Sequence, residues 1–123
     1  MISENFREIR SRIDEAARRS GRNPRLVKLV AAVKSQGRQK IEEAIEAGIK
    51  NIGHNYIQEA LSEKPHLHDP EVKFHMIGHV QRNKAKKAAE LFDIIETVDD
   101  IRILKPLDSA CSEFNKKLEL MIQ

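Results

Sequence analysis

Five short apolar runs recur along the chain, and their regular spacing restricts its fold more than any other feature. The runs begin near Leu26, Lys50, Lys73, Asp93 and Leu118. Successive runs start about 20 to 25 residues apart, which is the length of one strand–helix unit. Strand alternating with helix predicts a parallel sheet with right-handed crossovers.

Helical periodicity separates these runs and also precedes the first of them. Helices are predicted at about 41–48, 56–64, 83–91 and 101–111, with Pro106 expected to kink the last helix or to split it in two. An additional helix is predicted within residues 1–21, where Gly21 ends the apolar stripe. One domain is therefore expected over residues 1–123, with the extra helix followed by βα units over 26–123 that end on the fifth strand.

Two sheet closures fit this alternation, an open doubly wound sheet and a (β/α)8 barrel. A complete barrel of this type needs about 250 residues, whereas this chain has 123. The fifth strand reaches the end of the chain with no helix after it. We therefore predict an α/β fold of the TIM-barrel type, present as about half a barrel with five parallel strands.

Composition and charge exclude several classes of function. The formal net charge is only +3 and aromatic residues make up 4% of the chain, so no nucleic-acid partner is expected. No apolar run reaches 18 residues, and no membrane span is expected. The start of the chain lacks the pattern of a secretory signal and Cys111 is the only cysteine, which together favour a cytoplasmic location.

Lys34 directly follows the first apolar run, which reads as a buried parallel strand. The carboxyl ends of parallel strands are where α/β folds place ligands and chemistry. A lysine there would be partly desolvated, which lowers its pKa and frees its amine to attack a carbonyl group. The alternative is a lysine that ends the strand and is solvated.

Polar residues also follow the next three strands. Gly53-His54-Asn55-Tyr56 follows the second strand, the segment Gly78-His79 begins the polar stretch after the third, and Asp99 follows the fourth. These side chains are expected at one edge of the sheet, with the two glycines allowing a flat ligand to approach closely. His54 and His79 are interpreted either as polar groups at the mouth of a pocket or as solvated loop histidines.

A metal site is not predicted from the five histidines. His75 and His79 are four residues apart on an extended strand, so their rings would be separated by about 13 Å. His66 and His68 lie in a loop beside Asp69. No cysteine or glutamate motif completes a known coordination geometry.

Four segments of the chain resemble one known family in order and spacing. They are Leu29-Val30-Ala31-Ala32-Val33-Lys34, Ile41 to Gly48, Ile52-Gly53-His54-Asn55-Tyr56-Ile57-Gln58-Glu59, and Phe74 to Lys84. Together they resemble the pyridoxal phosphate homeostasis proteins, which share the fold of the alanine racemase N-terminal domain. The resemblance runs from the first helix to the last residue.

This resemblance implies a cofactor-binding barrel. Lys34 matches the lysine that holds pyridoxal 5′-phosphate as a Schiff base, and Asn55 and His79 match polar positions beside the cofactor. The family handles and delivers the cofactor, and no catalytic turnover is generally attributed to it. Two residues depart from the family pattern, because glutamate is usual at His54 and serine at Val33, and both changes are expected to alter polarity near the pocket.

The length of the chain is the larger departure, because family members exceed 200 residues. Their later strands supply the phosphate cradle and the partner of the pyridine nitrogen. We therefore expect a fragment, a truncated product, or a half that associates with another copy or with a missing C-terminal half. On its own it is expected to bind the cofactor weakly or not at all. Two alternatives stay open: a racemase-like pyridoxal phosphate enzyme, and a half barrel with no working site.

Overall fold

A computed structural model gives the structure of the protein and describes all residues, 1–123. Five parallel strands form one sheet in the order β1-β2-β3-β4-β5. The strands are β1 (Val30–Ala32), β2 (Asn51–His54), β3 (Lys73–Met76), β4 (Ile94–Val98) and β5 (Glu119–Ile122). A doubly wound sheet reverses its strand order part-way, and this sheet does not. The prediction of a partial (β/α) barrel is confirmed.

Helices fill each interval between strands, and one more precedes the first strand. They are α1 (Ile2–Arg19), α2 (Arg38–Glu46), α3 (Ile57–Glu63), α4 (Ala85–Leu91) and α5 (Leu104–Glu113). Short 3₁₀ turns occupy Pro24–Leu26, Lys64–His66, Arg82–Lys84 and Ile101–Ile103. None of the helices combines the length and the apolar character that crossing a lipid bilayer requires.

Three local predictions, two of element boundaries and one of a helix kink, were wrong. The first strand was expected from Leu26, but the Pro24–Leu26 turn leaves Leu26 exposed and the strand begins at Val30. The fourth helix was expected from Asn83, yet Asn83 lies inside a 3₁₀ turn and α4 begins at Ala85. Pro106 causes no break in α5, because it lies in the first turn, where no intrahelical N–H is required.

The apolar core lies between the sheet and its helices. Alternate strand residues such as Ile52, Phe74, Met76 and Ile95 point into this layer, where they pack against small helix residues that include Ala88. The other face of the sheet, which would be the inner surface of a closed barrel, carries Val30, Gly53 and Ile77 in mutual proximity. We call this second surface the inner face.

Candidate functional site at the carboxyl edge of the sheet

One row of residues, paired across four neighbouring strands, marks the position of the site along the strands. Ala32 pairs with Gly53, Gly53 with His75, and His75 with Ile94. Lys34 and Asn55 each lie two residues beyond the members of this row on β1 and β2. Neighbouring strands are about 4.8 Å apart, so the sheet places these two predicted site residues on adjacent positions of its carboxyl edge.

Lys34 is presented by a tight turn. The amide of Gln36 donates to the carbonyl oxygen of Val33 at 3.0 Å, and Ser35 has φ +59° in the left-handed region. Val33 points into the core, so by alternation Lys34 points to the inner face. The side chain of Lys34 is exposed, because none of the 123 residues covers it. The expectation that this lysine is partly desolvated is therefore wrong.

The loops after β2 and β3 are in close contact with each other beside Lys34. A Cβ atom on Gly78 would lie 2.1 Å from the carbonyl oxygen of Asn55. Thr97 of β4 donates its hydroxyl to the carbonyl oxygen of Gly78 at 2.6 Å. Gly78 was expected to let a flat ligand approach closely, but the backbone of Asn55 fills the space beside it. Gly53 likewise makes room for the side chains of Ile77 and Val30.

Asn55 and His79 share a depression that does not include Lys34. It has a volume of about 660 Å³ and lies between α3 and the segment from His79 through α4, with Lys84, Lys86 and Lys87 on one wall. His79 is exposed, and its Nδ1 is 3.7 Å from a carboxylate oxygen of Asp99. Tyr56, the one tyrosine, also lines this depression and is 56% exposed.

The structure overturns the expectation for His54. This ring is completely buried, stacks on Phe74 with centroids 5.2 Å apart, and has its Nε2 2.6 Å from Oε2 of Glu63. It therefore lies under α3 and not at the mouth of a pocket. Val33 is also buried in the core. Both departures from the family pattern thus fall on the helix-facing side of the sheet, away from the inner face.

A hydrogen-bonded group on the inner face was missed from sequence. His75 is 2% exposed, with Nδ1 2.8 Å from Oε1 of Glu96 and Nε2 2.9 Å from Oδ1 of Asn51. The signal was present in the alternation, because these three polar residues lie on the strand faces opposite Phe74, Ile95 and Ile52. From the sequence, His75 was weighed only as a possible metal ligand together with His79. No three His, Cys, Asp or Glu side chains come together as a metal site.

The loop after β4 carries the one strongly shifted carboxyl group of this edge. The Arg102 side chain donates to both carboxylate oxygens of Asp100, and the Arg102 backbone amide donates as well. These hydrogen bonds lower the pKa of Asp100 to about 2. The carboxylate therefore stays charged and fixes the start of the turn that precedes α5.

A family model for the alanine racemase N-terminal domain matches residues 4–123. The chain belongs to this family. The assignment agrees with the sequential strand order and with a lysine at the carboxyl end of β1, and it confirms the family identified from the sequence segments.

Among curated proteins, members named pyridoxal phosphate homeostasis protein are similar to this chain. The one from Pseudomonas aeruginosa is 39% identical over 106 residues, which cover 86% of this chain and 46% of that protein. The one from Escherichia coli K12 is 35% identical over 125 residues, which cover 99% of this chain and 53% of that protein. The chain therefore spans about half the length of these relatives.

Solved structures give the same result for the fold. PipY of Synechococcus elongatus, solved with pyridoxal phosphate bound, matches with a TM-score of 0.84 and 32% identity, covering 98% of this chain and 52% of PipY. A protein from Bifidobacterium adolescentis matches with a TM-score of 0.85 and 28% identity. In this family, the 123 residues correspond to about half of a complete barrel.

Proposed function

We propose that the chain binds pyridoxal 5′-phosphate through a Schiff base between Nζ of Lys34 and the aldehyde of the cofactor, with Asn55 and His79 beside it. The exposed amine of Lys34 at the carboxyl edge of the sheet, with no ion-pair partner, carries this proposal. It is supported by similarity to PipY, which was solved with the cofactor bound. The whole protein would then hold and deliver the cofactor without turning over a substrate. A cytoplasmic setting, supported by the free thiol of Cys111, belongs to the same proposal.

The residues present fit one part of the cofactor better than the other. The aldehyde meets an accessible amine. Asn55 occupies the neighbouring position of the edge, and its side chain lines the depression that it shares with His79. The phosphate dianion needs backbone N–H groups at a glycine-rich loop or a helix N-terminus, and the sequence contains no glycine-rich phosphate loop. We therefore expect these 123 residues to bind the cofactor weakly, because the covalent bond to lysine is reversible in water.

Chemical trapping tests the proposal. The chain is incubated with pyridoxal phosphate and reduced with borohydride, and the modified peptides are then mapped by mass spectrometry. We expect the label to concentrate on Lys34 and to be lost from that peptide in Lys34→Ala. Lys28, exposed just before the same strand, provides the matched control, and Lys28→Ala should leave the labelling of Lys34 unchanged. Equal labelling of Lys28 and Lys34 in the unchanged chain would refute a specific site.

A further inference from the structure

Oxygen atoms face both ring nitrogens of the buried His75. The 2.9 Å contact joins Nε2 to the amide oxygen of Asn51, which can only accept a hydrogen bond, so with the amide in this orientation Nε2 carries a proton. The 2.8 Å contact between Nδ1 and Oε1 of Glu96 requires a second proton. That proton lies either on Nδ1, as an imidazolium beside a carboxylate, or on Glu96, as an acid beside a neutral ring. In both cases the histidine–glutamate pair stores one proton and has no net charge.

The three residues lie on the inner face together with Lys34. Ala32, Gly53, His75 and Ile94 form one row of paired residues. Glu96 lies two residues beyond Ile94 on β4, at the start of an irregular stretch between Ile95 and Val98. Lys34 lies two residues beyond Ala32, in the turn that follows β1. Alternation then directs both side chains to the inner face. The proton-storing carboxyl group and the proposed anchoring amine thus lie near the same edge of the sheet, on strands that are three spacings, or about 14 Å, apart.

Glu96 connects the buried ring to the open side of the sheet. Its side chain is 25% exposed. Oε1 contacts His75, whereas Oε2 has no hydrogen-bond partner and is not buried. The other charged residues that alternation directs to this face are Lys28 before β1, Lys34 after β1, Lys73 on β3 and Glu119 on β5. The helices pack on the opposite side of the sheet, against the apolar core. Residues of α5, including Asp108, share a depression with Lys73 and Glu119.

A purely structural role explains this group poorly. Its neighbours on the inner face include the apolar residues Val30, Ile77 and Ile94, together with Lys73, which pairs with Asn51. A buried ion pair is costly to desolvate, and apolar residues of similar volume often replace such a pair without loss of stability. The second histidine–carboxylate pair, His54 with Glu63, lies on the helix-facing side, and Nδ1 of His54 has no partner. That pair lacks the third residue and does not face the inner side of the sheet.

We propose that Asn51, His75 and Glu96 form a proton-holding triad, and that Glu96 exchanges the stored proton with a ligand anchored at Lys34. Asn51 fixes the proton on Nε2, so the exchangeable proton lies between Nδ1 and Oε1. Passing it to a basic atom of the ligand changes the net charge of the pair from zero to −1 and leaves Nε2–H in place. The proton storage stands on the geometry of the triad alone, and the identity of the ligand rests on the proposed function.

NMR of the histidine rings in the ¹⁵N-labelled chain tests the proton storage without any ligand. At neutral pH we expect a proton on Nε2 of His75 and a second, slowly exchanging proton shared by Nδ1 and Glu96. In Glu96→Gln the ring should become neutral, with Nε2 alone protonated. Glu63→Gln is the matched control and should leave the signals of His75 unchanged. An unprotonated Nδ1 in the unchanged chain beside an ionised Glu96 would overturn the triad.

Titration with pyridoxal phosphate tests the exchange. We expect the ratio of the protonated to the unprotonated form of the bound cofactor, measured from its absorption bands, to change in Glu96→Gln and not in Glu63→Gln. An identical ratio in both variants would overturn the exchange role of Glu96. If no absorption band depends on Lys34, the proposed function fails and Glu96 has no ligand for exchange on this chain. The NMR result still decides whether the triad stores a proton.

Discussion

Three histidines of the same sequence region have three different environments. His54 is buried beneath α3, His75 is buried on the inner face, and His79 is exposed at the carboxyl edge. The alternation of strand residues separates the first two, because adjacent positions on a strand point to opposite faces. Sequence reasoning grouped His54 with His79 because both follow a glycine at a strand end. It therefore missed the aromatic and acidic partners that burial provides.

At this scale, Gly78 offers the sharpest test of the geometry of the edge. A Cβ atom there would lie 2.1 Å from the carbonyl oxygen of Asn55, so Gly78→Ala must displace the backbone that carries a predicted site residue. We expect a loss of about 1–3 kcal/mol in the free energy of unfolding, as for other overpacked sites, measured by urea denaturation. Gly37→Ala is the control, because no atom lies within 4 Å of its added Cβ. Equal stability of the two variants would contradict the close approach.

At the scale of elements, two lysines cap the C-terminal end of α4. Nζ of Lys116 donates to the carbonyl oxygens of Ala89 at 2.6 Å and of Phe92, and Nζ of Lys64 donates to that of Leu91. The last carbonyl groups of a helix have no intrahelical partners and carry partial negative charge. Lysines from the turn after α3 and from the segment before β5 thus hold α4 against its neighbours. No local sequence pattern could reveal these contacts, because they join residues at least 24 positions apart.

Removal of the Lys116 ammonium should destabilise this helix end. Burial lowers the pKa of Lys116 below its usual value of 10.5, so folding disfavours its charged form. The contribution of Lys116 to the free energy of unfolding should therefore rise with pH between the lowered pKa and 10.5. At pH 7 we expect Lys116→Met to cost about 1–2 kcal/mol, because it leaves carbonyl groups without donors.

The measurement is urea unfolding of the unchanged chain and of Lys116→Met at several pH values from 7 to above 10. The difference between the two proteins isolates Lys116 from Lys50, whose raised pKa has the opposite effect. Lys117→Met is the control, since Lys117 is exposed and makes none of these bonds. A loss in Lys117→Met as large as that in Lys116→Met would show that the α4 contacts are not responsible.

At the scale of the whole molecule, the sheet has two unpaired edges, β1 and β5. Every residue of β5 is exposed, and the strand carries Leu120, Met121 and Ile122. Unpaired strands with apolar side chains are sites of association with other chains. The relatives are about twice as long as this chain, and in a closed barrel no strand edge remains free.

We therefore expect the 123-residue chain to self-associate. Light scattering coupled to size-exclusion chromatography should give a mass that rises with protein concentration. Ile122→Lys should lower this mass, because Ile122 is 91% exposed on the β5 edge and a charged residue there opposes strand pairing. Ile101→Lys provides the control, since Ile101 is 79% exposed but lies on the turn before α5. A concentration-independent monomer would refute the expectation.

The sequence by itself determined the alternation of five strands with helices, their approximate positions, and the family of the chain. Period-2 and helical patterns are local, and Gly21 and Gly48 end helices with positive φ values as local chemistry requires. It also placed Lys34 and Asn55 at strand ends. Only the tertiary structure decided which side each residue faces and what covers it, because those depend on register and on contacts between distant segments. For this reason the sequence did not reveal that His54 lies in the core or that Asn51, His75 and Glu96 contact one another across three strands. Nor did it reveal that Lys34 is exposed on the open side of half a barrel.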